Sequence, residues 1–275
     1  MVISEFVRET AKHLGDNARF EAELMVMSVM EMDRTRLVLN GKLPVMPQHT
    51  YRMNKMIERR KKGEPLQYIL GETEFMSLDF FVREGVLIPR SDTEILVETV
   101  IDKIGDKKII VADICTGSGC IGISVKKLCQ NTKVTLADIS EGALAVAKKN
   151  AENLNANVTL IRGNLFENIE GRFDYILSNP PYIPSQVIQG LMPEVKDHEP
   201  RLALDGEEDG LAFYRKIIEQ APDYLNSNGR IYFEIGAEQG EDMIRLMTDR
   251  GFSEVKVHKD LAGLDRIATG IYSRR

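Results

Sequence analysis

The sequence predicts an α/β fold in which a small N-terminal helical domain precedes a mainly parallel sheet. From about residue 92 onward, short apolar runs alternate with helix-like stretches, a pattern typical of parallel strands joined by crossover helices. In residues 1–62, apolar residues instead recur at helical spacing. The length of 275 residues, with 43% hydrophobic and 28% charged residues, suits one large or two smaller globular domains.

The N-terminal part is predicted to consist of helices. Asp16 and Asn17 are expected to form a loop and the N-cap of the following helix. Pro47 precedes a further helical stretch, about residues 48–62. This stretch ends in Arg59-Arg60-Lys61-Lys62, which we interpret as a solvated helix end, because cations are favourable at the negative pole of a helix dipole.

A β-hairpin is predicted to join the two halves of the chain. Gly63-Glu64-Pro65 ends the helical part, and residues 66–89 then alternate with aromatic and β-branched side chains. We therefore predict three segments: a helical substrate-recognition domain at 1–65, a hairpin linker at 66–90 and a catalytic domain at 91–275.

The catalytic half is predicted to place its motifs at one edge of the sheet. Ligands of parallel sheets bind at the carboxyl ends of the strands, and each motif described below follows a predicted strand. The predicted strands are 108–114, 133–138, 157–162, 173–178 and 230–235, and helices are predicted at 143–153 and 211–220.

Composition restricts the function. The chain has 36 Lys+Arg against 42 Asp+Glu, a net charge of −6, which disfavours a nucleic-acid binder with a broad basic face. No apolar run approaches the roughly 18 residues of a membrane span. The three Cys residues fit neither a disulfide framework nor a zinc site, so a reducing cytoplasm is expected. The four His residues are scattered outside the motifs, and no metal site is expected.

A glycine-rich turn predicts a cofactor site. Asp113-Ile-Cys-Thr-Gly-Ser-Gly119 follows a strand and opens a helix, and the next strand ends in Asp138. A carboxylate there can accept hydrogen bonds from both hydroxyls of an adenosine ribose. The spacing Gly117-x-Gly119-x-x-Gly122 also matches a dinucleotide fingerprint. Asp113 indicates S-adenosylmethionine and not a dinucleotide, because the ammonium group of S-adenosylmethionine favours a nearby carboxylate. The loop also supplies no cation for the phosphates of a dinucleotide.

The loop after the third strand is expected to contact the adenine. Asn164 would make a polar contact, and Phe166 would stack on the ring unless it is a core aromatic. The candidate cofactor-binding residues of these loops are Asp113, Asp138, Ile139, Asn164, Leu165 and Phe166, and the resemblance described below implies that Cys115, Thr116, Gly117, Ser118, Gly119 and Asn179 also bind the cofactor.

Asn179-Pro180-Pro181-Tyr182 predicts the site of the methyl acceptor. The prolines donate no hydrogen bond and push Asn179 into an extended conformation, so the Asn179 side-chain carbonyl and the Pro180 carbonyl can both accept from one planar NH₂ group. Tyr182 would cover that group by stacking. The candidate catalytic residues are Asn179, Pro180 and Tyr182, and the substrate-binding residues are these three with Pro181.

Several segments resemble one enzyme family. Asp113-x-x-Thr-Gly-Ser-Gly, Asp138-Ile-Ser and Asn179-Pro-Pro-Tyr182 resemble class I S-adenosylmethionine-dependent methyltransferases, although the tetrapeptide alone is shared with DNA adenine and RNA guanine amino-methyltransferases. The flanking segments are more specific. They resemble the PrmC/HemK family over nearly the whole chain, at residues 87–94, 199–204, 209–211, 234–236, 238–239 and 260–263.

This resemblance implies a fold and an activity. The family transfers a methyl group from S-adenosylmethionine to the glutamine side-chain amide in the Gly-Gly-Gln motif of peptide-chain release factors, and so modulates translation termination. It implies a Rossmann-like, seven-stranded sheet whose last strand runs antiparallel, with 254–257 and 266–272 as the final pair. The helical domain would help to receive the release factor. No nucleic-acid or membrane partner is implied.

The sequence departs from the family pattern at a few positions. Ser91-Asp92 stands where Pro-Glu is common, Asn164 where Asp is frequent, and Cys115 and Glu207 where Gly is usual. None of these changes lies in Asn179-Pro-Pro-Tyr182, so they leave the expected activity intact.

Two other functions are compatible with the motifs. An exocyclic amino group of adenine (N6) or guanine (N2) presents the same planar donors as an amide, although phosphate contacts call for Lys and Arg. The second alternative function is that of a non-catalytic binding module with the same fold, since fold alone does not establish function.

Overall fold

The computed structural model describes residues 1–14 and 18–273. The loop and N-cap predicted at Asp16 and Asn17 lie outside the described residues. The helices are α1 (Ile3–Ala11), α2 (Ala18–Met30), α3 (Arg34–Leu39), α4 (Pro47–Lys61), α5 (Leu66–Leu70), α6 (Ser91–Ile104), α7 (Cys120–Leu128), α8 (Glu141–Asn153), α9 (Pro193–Lys196), α10 (Arg201–Leu204), α11 (Ala212–Tyr224) and α12 (Gly240–Asp249). The strands are β1 (Glu72–Phe75), β2 (Leu78–Phe81), β3 (Ile110–Ile114), β4 (Lys133–Asp138), β5 (Thr159–Arg162), β6 (Phe173–Ser178), β7 (Leu225–Glu234), β8 (Ser253–Lys259) and β9 (Asp265–Tyr272).

The first compact unit comprises Met1–Glu72 together with Pro193–His198. Apolar residues at helical spacing place one face of α1, α2 and α4 against a common core. Two of the methionines fill this core, as expected for a flexible, unbranched side chain. The most buried members, at most 3% exposed, are Ile3, Phe6, Ala22, Met25, Val26, Val29 and Met53.

The basic run at the end of α4 is not simply a solvated helix end. The Arg60 side chain is only 16% exposed and bonds to both carboxylate oxygens of Glu21, at 2.8 and 2.9 Å. A further pair joins Arg60 to Glu194 of α9 at 2.7 Å. The interpretation of this run was therefore wrong for Arg60, whose partners lie in other helices of the unit.

The hairpin between the two halves is shorter than predicted. Its strands are β1 and β2, whereas residues 66–70 form helix α5. Pro65 at the N-cap presets the entry of α5, and Gly71, at φ +82°, ends it in a left-handed conformation. The apolar residues Leu66 and Ile69 thus belong to a helical turn that is buried in the structure.

The second unit comprises Thr73–Met192 and Glu199–Arg275 and contains a sheet of seven strands within the described residues. The strand order is β5-β4-β3-β6-β7-β9-β8. Strands β3 to β7 pair in parallel, and β9 runs antiparallel between β7 and β8. The predicted mainly parallel sheet is confirmed, together with the antiparallel last strand.

The central strands show why the strand predictions succeeded. Strands β3 and β6 are buried on both faces, so each is a short, mainly apolar run that contains a single aspartate, Asp113 or Asp174. The bounds of β4 and β6 match the predicted 133–138 and 173–178. Strand β7 begins earlier than predicted, because Leu225 pairs with Phe173 before a register shift.

Three findings concern membranes, metals and cysteines. None of the helices within the described residues is both long and apolar enough to cross a bilayer. No group of three His, Cys, Asp or Glu side chains in that same part of the chain could hold a metal ion. The three cysteines are free thiols.

Candidate active site

A cavity of about 300 Å³ opens at the carboxyl ends of β3, β4 and β6. This volume lies at the lower end of the range for small-molecule sites. The structure brings ten of the predicted site residues to its lining: Cys115, Thr116, Gly117, Ser118, Asp138, Ile139, Asn164, Leu165, Asn179 and Pro181. The other predicted residues, Asp113, Gly119, Phe166, Pro180 and Tyr182, do not line it.

Backbone conformation shapes the loop after β3. Gly117 and Gly119 have φ of +57° and +81°, and Cys115 between β3 and the glycines has φ +61°. Positive φ suits glycine and costs other residues roughly 1–2 kcal/mol, so Cys115 is held there by its surroundings. Burial raises the pKa of its thiol, which makes this cysteine a poor nucleophile.

Asp113 supports the loop from below. Its Oδ2 accepts hydrogen bonds from Thr116 Oγ1 at 2.5 Å and from the Gly122 amide at 3.0 Å, while the buried Oδ1 has no partner within the described residues. Burial raises the pKa of Asp113 to about 7, against the opposing effect of these hydrogen bonds. Asp113 thus supports the loop through Oδ2 and does not line the cavity, and its contact with a cofactor ammonium stays a prediction.

Close packing explains why residue 122, the third position of the dinucleotide-like spacing, is glycine. A Cβ atom on Gly122 would lie 2.3 Å from Leu136 Cδ2 and 3.0 Å from Asp113 Oδ2. The absence of a side chain therefore lets α7 pack directly on β3 and β4. A packing role explains this residue without a pyrophosphate.

Asp138 lies at the edge of the cavity with its carboxylate fixed. Its Oδ2 accepts from the Gly117 amide at 2.9 Å, and its Oδ1 from the Ser140 amide at 2.8 Å. Each oxygen keeps a further lone pair, so the carboxylate can also accept from the two hydroxyls of a ribose. Burial raises the pKa of Asp138, and the backbone hydrogen bonds oppose this shift.

The adenine contacts predicted for the loop after β5 divide into two groups. Asn164 and Leu165 line the cavity, as does Ile139 on the neighbouring strand end. Phe166 is 1% exposed and stacks on Tyr224 with ring centroids 4.5 Å apart. The structure therefore favours the core-aromatic alternative for Phe166, and an adenine would instead meet the apolar surfaces of Ile139 and Leu165.

The segment after β6 is held tightly by its backbone. The Tyr182 carbonyl accepts from Gln239 Nε2 at 3.2 Å, and the Ile183 amide donates to the Leu204 carbonyl. A Cβ on Gly206 or Gly210 would lie 2.8 or 2.3 Å from Tyr182 backbone atoms. This close packing fixes the direction of the chain directly after Asn179, Pro180 and Pro181.

The N-terminal ends of helices α6 and α10 supply further lining residues that were not predicted from the sequence. Arg90, Thr93, Pro200 and Ala203 all line the cavity. The Arg90 guanidinium bonds to both oxygens of Glu199 at 2.7 and 2.6 Å. These residues lie in segments 87–94 and 199–204, which carried the family resemblance, and that was the signal available for them.

The lining fits S-adenosylmethionine better than a dinucleotide. The two cationic side chains of the lining, Arg90 and Lys216, are both paired within the described residues, with Glu199 at 2.6 Å and with Glu207 at 3.0 Å. Neither is therefore free for a pyrophosphate. Asp138 suits a ribose, and the remaining surface suits an adenine and an uncharged chain.

The sequence is similar to known methyltransferases over both of its units. A family profile described as PrmC N-terminal domain matches residues 2–71, and one described as methyltransferase small domain matches residues 90–194. A release factor glutamine methyltransferase of Geobacter sulfurreducens is 43% identical over 256 residues, covering 93% of this chain and 90% of that protein. One of Bacillus cereus is 39% identical over 277 residues, covering 97% and 98%.

A solved structure adds support at the level of the fold. A methyltransferase from Pyrococcus furiosus superimposes with a TM-score of 0.55 at 21% identity, covering 83% of this chain and all of that one. The relatives above share far more than a fold, since they match at about two residues in five over nearly their whole length. This chain belongs to the release factor glutamine methyltransferase family.

Proposed function

We propose that this protein transfers a methyl group from S-adenosylmethionine to the side-chain amide nitrogen of the glutamine in the Gly-Gly-Gln motif of peptide-chain release factors, and so modulates translation termination. One observation carries the proposal most directly. Asn179 and Pro181 line the same cavity as Cys115 and Asp138. Acceptor and cofactor residues therefore meet in one site, as methyl transfer requires.

Asp138, Ile139, Asn164 and Leu165 would hold the cofactor. Asp138 accepts from the ribose hydroxyls, Asn164 makes a polar contact, and the two apolar side chains cover the adenine faces. When bound, S-adenosylmethionine supplies a methyl group on a positively charged sulfur, which is the electrophile of the reaction.

Asn179 and Pro180 would orient the glutamine. The Asn179 side-chain carbonyl and the Pro180 carbonyl each accept one hydrogen of the substrate NH₂ group. An amide nitrogen is a weak nucleophile because its lone pair is delocalised, so positioning and stabilisation of charge developing on nitrogen provide most of the catalysis. As the new N–C bond forms, the bond between the methyl carbon and sulfur breaks and S-adenosylhomocysteine is left as the product, and the extra proton on nitrogen then leaves to water.

Tyr182 serves as a neutral cover and not as a base. Burial and the neighbouring Glu234 raise the pKa of the Tyr182 hydroxyl, which donates to Glu234 Oε1 at 3.3 Å. A phenol held in its protonated form cannot remove a proton from the substrate. Tyr182 itself does not line the cavity, so its proposed stacking on the planar amide requires the substrate to reach past the neighbouring Pro181.

The partner in this proposal is a protein, and the helical first unit receives it. That unit exposes several apolar side chains around the end of α3, including Val38 and Leu39 at 75% and 77% exposure. The proposal places the reaction in the cytoplasm, where termination occurs, and involves no nucleic-acid or membrane partner.

Mass spectrometry of a release factor incubated with this protein and S-adenosylmethionine tests the function. We expect one added methyl group on the glutamine of the Gly-Gly-Gln motif. Parallel incubations of labelled cofactor with DNA and RNA provide the comparison. Label that enters only nucleic acid would favour methylation of an exocyclic base amine and overturn the proposal.

A further inference from the structure

Thr93, at the cavity lining, and Glu234 contact the proposed acceptor motif and are almost completely buried. Each is 2% exposed. Asn179 Nδ2 donates to Thr93 Oγ1 at 3.5 Å, and the Tyr182 hydroxyl donates to Glu234 Oε1 at 3.3 Å. Two side chains of the proposed acceptor motif are therefore each hydrogen-bonded to a buried residue on another element, one on α6 and one on β7.

The buried carboxylate links these two contacts. Burial raises the pKa of Glu234, and the Thr93 hydroxyl, the positive charge of Arg266 and the Tyr182 hydroxyl oppose this shift. The second carboxylate oxygen of Glu234, Oε2, is buried and has no hydrogen-bond partner among the described residues, so it is the acceptor towards which the Thr93 hydroxyl can turn.

The donors and acceptors in the series Asn179–Thr93–Glu234 determine which end of the Asn179 amide faces the cavity. Thr93 Oγ1 accepts from Asn179 Nδ2, so the single hydrogen of the Thr93 hydroxyl is left to donate to a carboxylate oxygen of Glu234. The Thr93 oxygen then has only lone pairs for Asn179, and the Asn179 amide must present its NH₂ end to it. The opposite end, the carbonyl Oδ1, is directed away from Thr93.

We propose that Thr93 and Glu234 are positioning residues that hold the Asn179 carbonyl towards the incoming amide. This inference rests on the proposed function, in which that carbonyl accepts a hydrogen of the glutamine NH₂ group. If the Asn179 side-chain amide were rotated by 180°, its NH₂ group would face the NH₂ group of the glutamine. Both groups are hydrogen-bond donors, so no hydrogen bond could form between them. The long Asn179–Thr93 contact is expected to shorten when the amide binds, as catalytic hydrogen bonds often do.

Substitutions at Thr93 separate an orienting role from a packing role. Thr93→Val keeps the shape and removes the hydroxyl, whereas Thr93→Ser keeps the hydroxyl and removes a methyl group. Thr99→Val is the matched control, because Thr99 lies on the same helix and its hydroxyl donates to the Ile95 carbonyl at 2.7 Å. The measurements are kcat and KM for a release factor, S-adenosylhomocysteine affinity by calorimetry, and the midpoint of thermal unfolding.

An orienting role gives a specific ranking. We expect Thr93→Val to lower kcat by about tenfold or more, as the loss of a transition-state hydrogen bond does, with S-adenosylhomocysteine affinity unchanged. Thr93→Ser should keep kcat within about threefold of wild type, and Thr99→Val should match wild type in all measurements. Glu234→Gln should lower kcat in the same way as Thr93→Val, because an amide can donate to Thr93.

The contrary results are distinct. If Thr93→Val keeps the wild-type kcat, or Thr93→Ser is the more damaged variant, Thr93 has a packing role and the inference is overturned while the function stands. If the wild-type protein itself leaves the release factor unmethylated, the proposed function and the inference built on it are both overturned.

Discussion

Asn179 is the residue on which the proposed reaction depends most directly. We expect Asn179→Ala to lower kcat by about 100-fold or more, because loss of one group that stabilises developing charge costs this much in other enzymes. Affinity for S-adenosylmethionine should stay within about threefold of wild type, because the ribose and adenine contacts are made by other residues. Methylation kinetics and calorimetry measure the two effects.

The control for this variant is Asn131→Ala, which removes an exposed asparagine that bonds to the Asp106 carbonyl. It should behave as wild type in both measurements. Methylation of a release factor by Asn179→Ala at the normal rate would contradict the role assigned to Asn179.

Asp113 gives the protein a pH dependence of stability. Burial raises the pKa of Asp113 to about 7, so the folded protein holds this proton over a range in which the unfolded chain has released it. Stability should therefore fall as the pH rises from about 4 to about 7 and stay level above it. Asp113→Asn has no proton to lose at this position. Between about pH 5 and pH 8 its unfolding free energy should therefore fall by about 2 kcal/mol less than that of the wild type.

Urea unfolding at the two pH values measures this difference. The pKa values of Asp138 and Glu234 are also raised by burial, but both carboxylates are present in wild type and variant and cancel in the comparison. An identical pH dependence of the two proteins would show that Asp113 titrates normally in the folded state.

Helix α7 and the strands beneath it are in contact through Gly122. The Cβ of alanine there would lie 2.3 Å from Leu136, so Gly122→Ala should lower the unfolding free energy by about 2 kcal/mol, as overpacking of a core does. The loop before α7 should be displaced with it, and S-adenosylmethionine affinity should fall. Urea unfolding and calorimetry test both effects.

Gly142→Ala is the matched control in α8. A Cβ there would meet only Ser140 Oγ, at 3.6 Å, and alanine is favoured over glycine in a helix by up to about 1 kcal/mol. We expect this variant to be as stable as wild type or more stable. Equal effects of the two substitutions would argue against close packing of α7 as the reason for Gly122.

Elements with regular local patterns were predictable from the sequence, and contacts between distant residues were not. Strand β6 was predicted with its observed bounds because burial on both faces requires a nearly continuous apolar run, and β4 because its buried Val134, Leu136 and Ala137 lie between polar ends. Helix α5 was missed because its few residues also fit strand alternation. Arg60 with Glu21 and Thr93 with Asn179 are separated by 39 and 86 positions, and no periodicity reports such pairs. The core position of Phe166 likewise depends on Tyr224, a residue of another element.

At the scale of the whole molecule, the two compact units are proposed to divide the work between them. The catalytic motifs all lie in the second unit, whereas the first has exposed apolar side chains at Val38, Leu39, Leu43 and Met46, each more than half exposed. Large exposed apolar patches often mark protein interaction sites. A release factor held at a second place would explain how a large protein substrate presents one loop to a small cavity.

Leu39→Asp tests this division. We expect it to raise KM for an intact release factor by about tenfold, because a charge in an apolar interface is poorly solvated, with kcat and S-adenosylmethionine affinity unchanged. KM for a short Gly-Gly-Gln peptide should not change, because the peptide reaches only the cavity. Leu261→Asp, at a fully exposed leucine of the second unit, is the control and should leave both KM values at wild type. If Leu39→Asp raised both values equally, or neither, residue 39 would lie outside the release-factor surface.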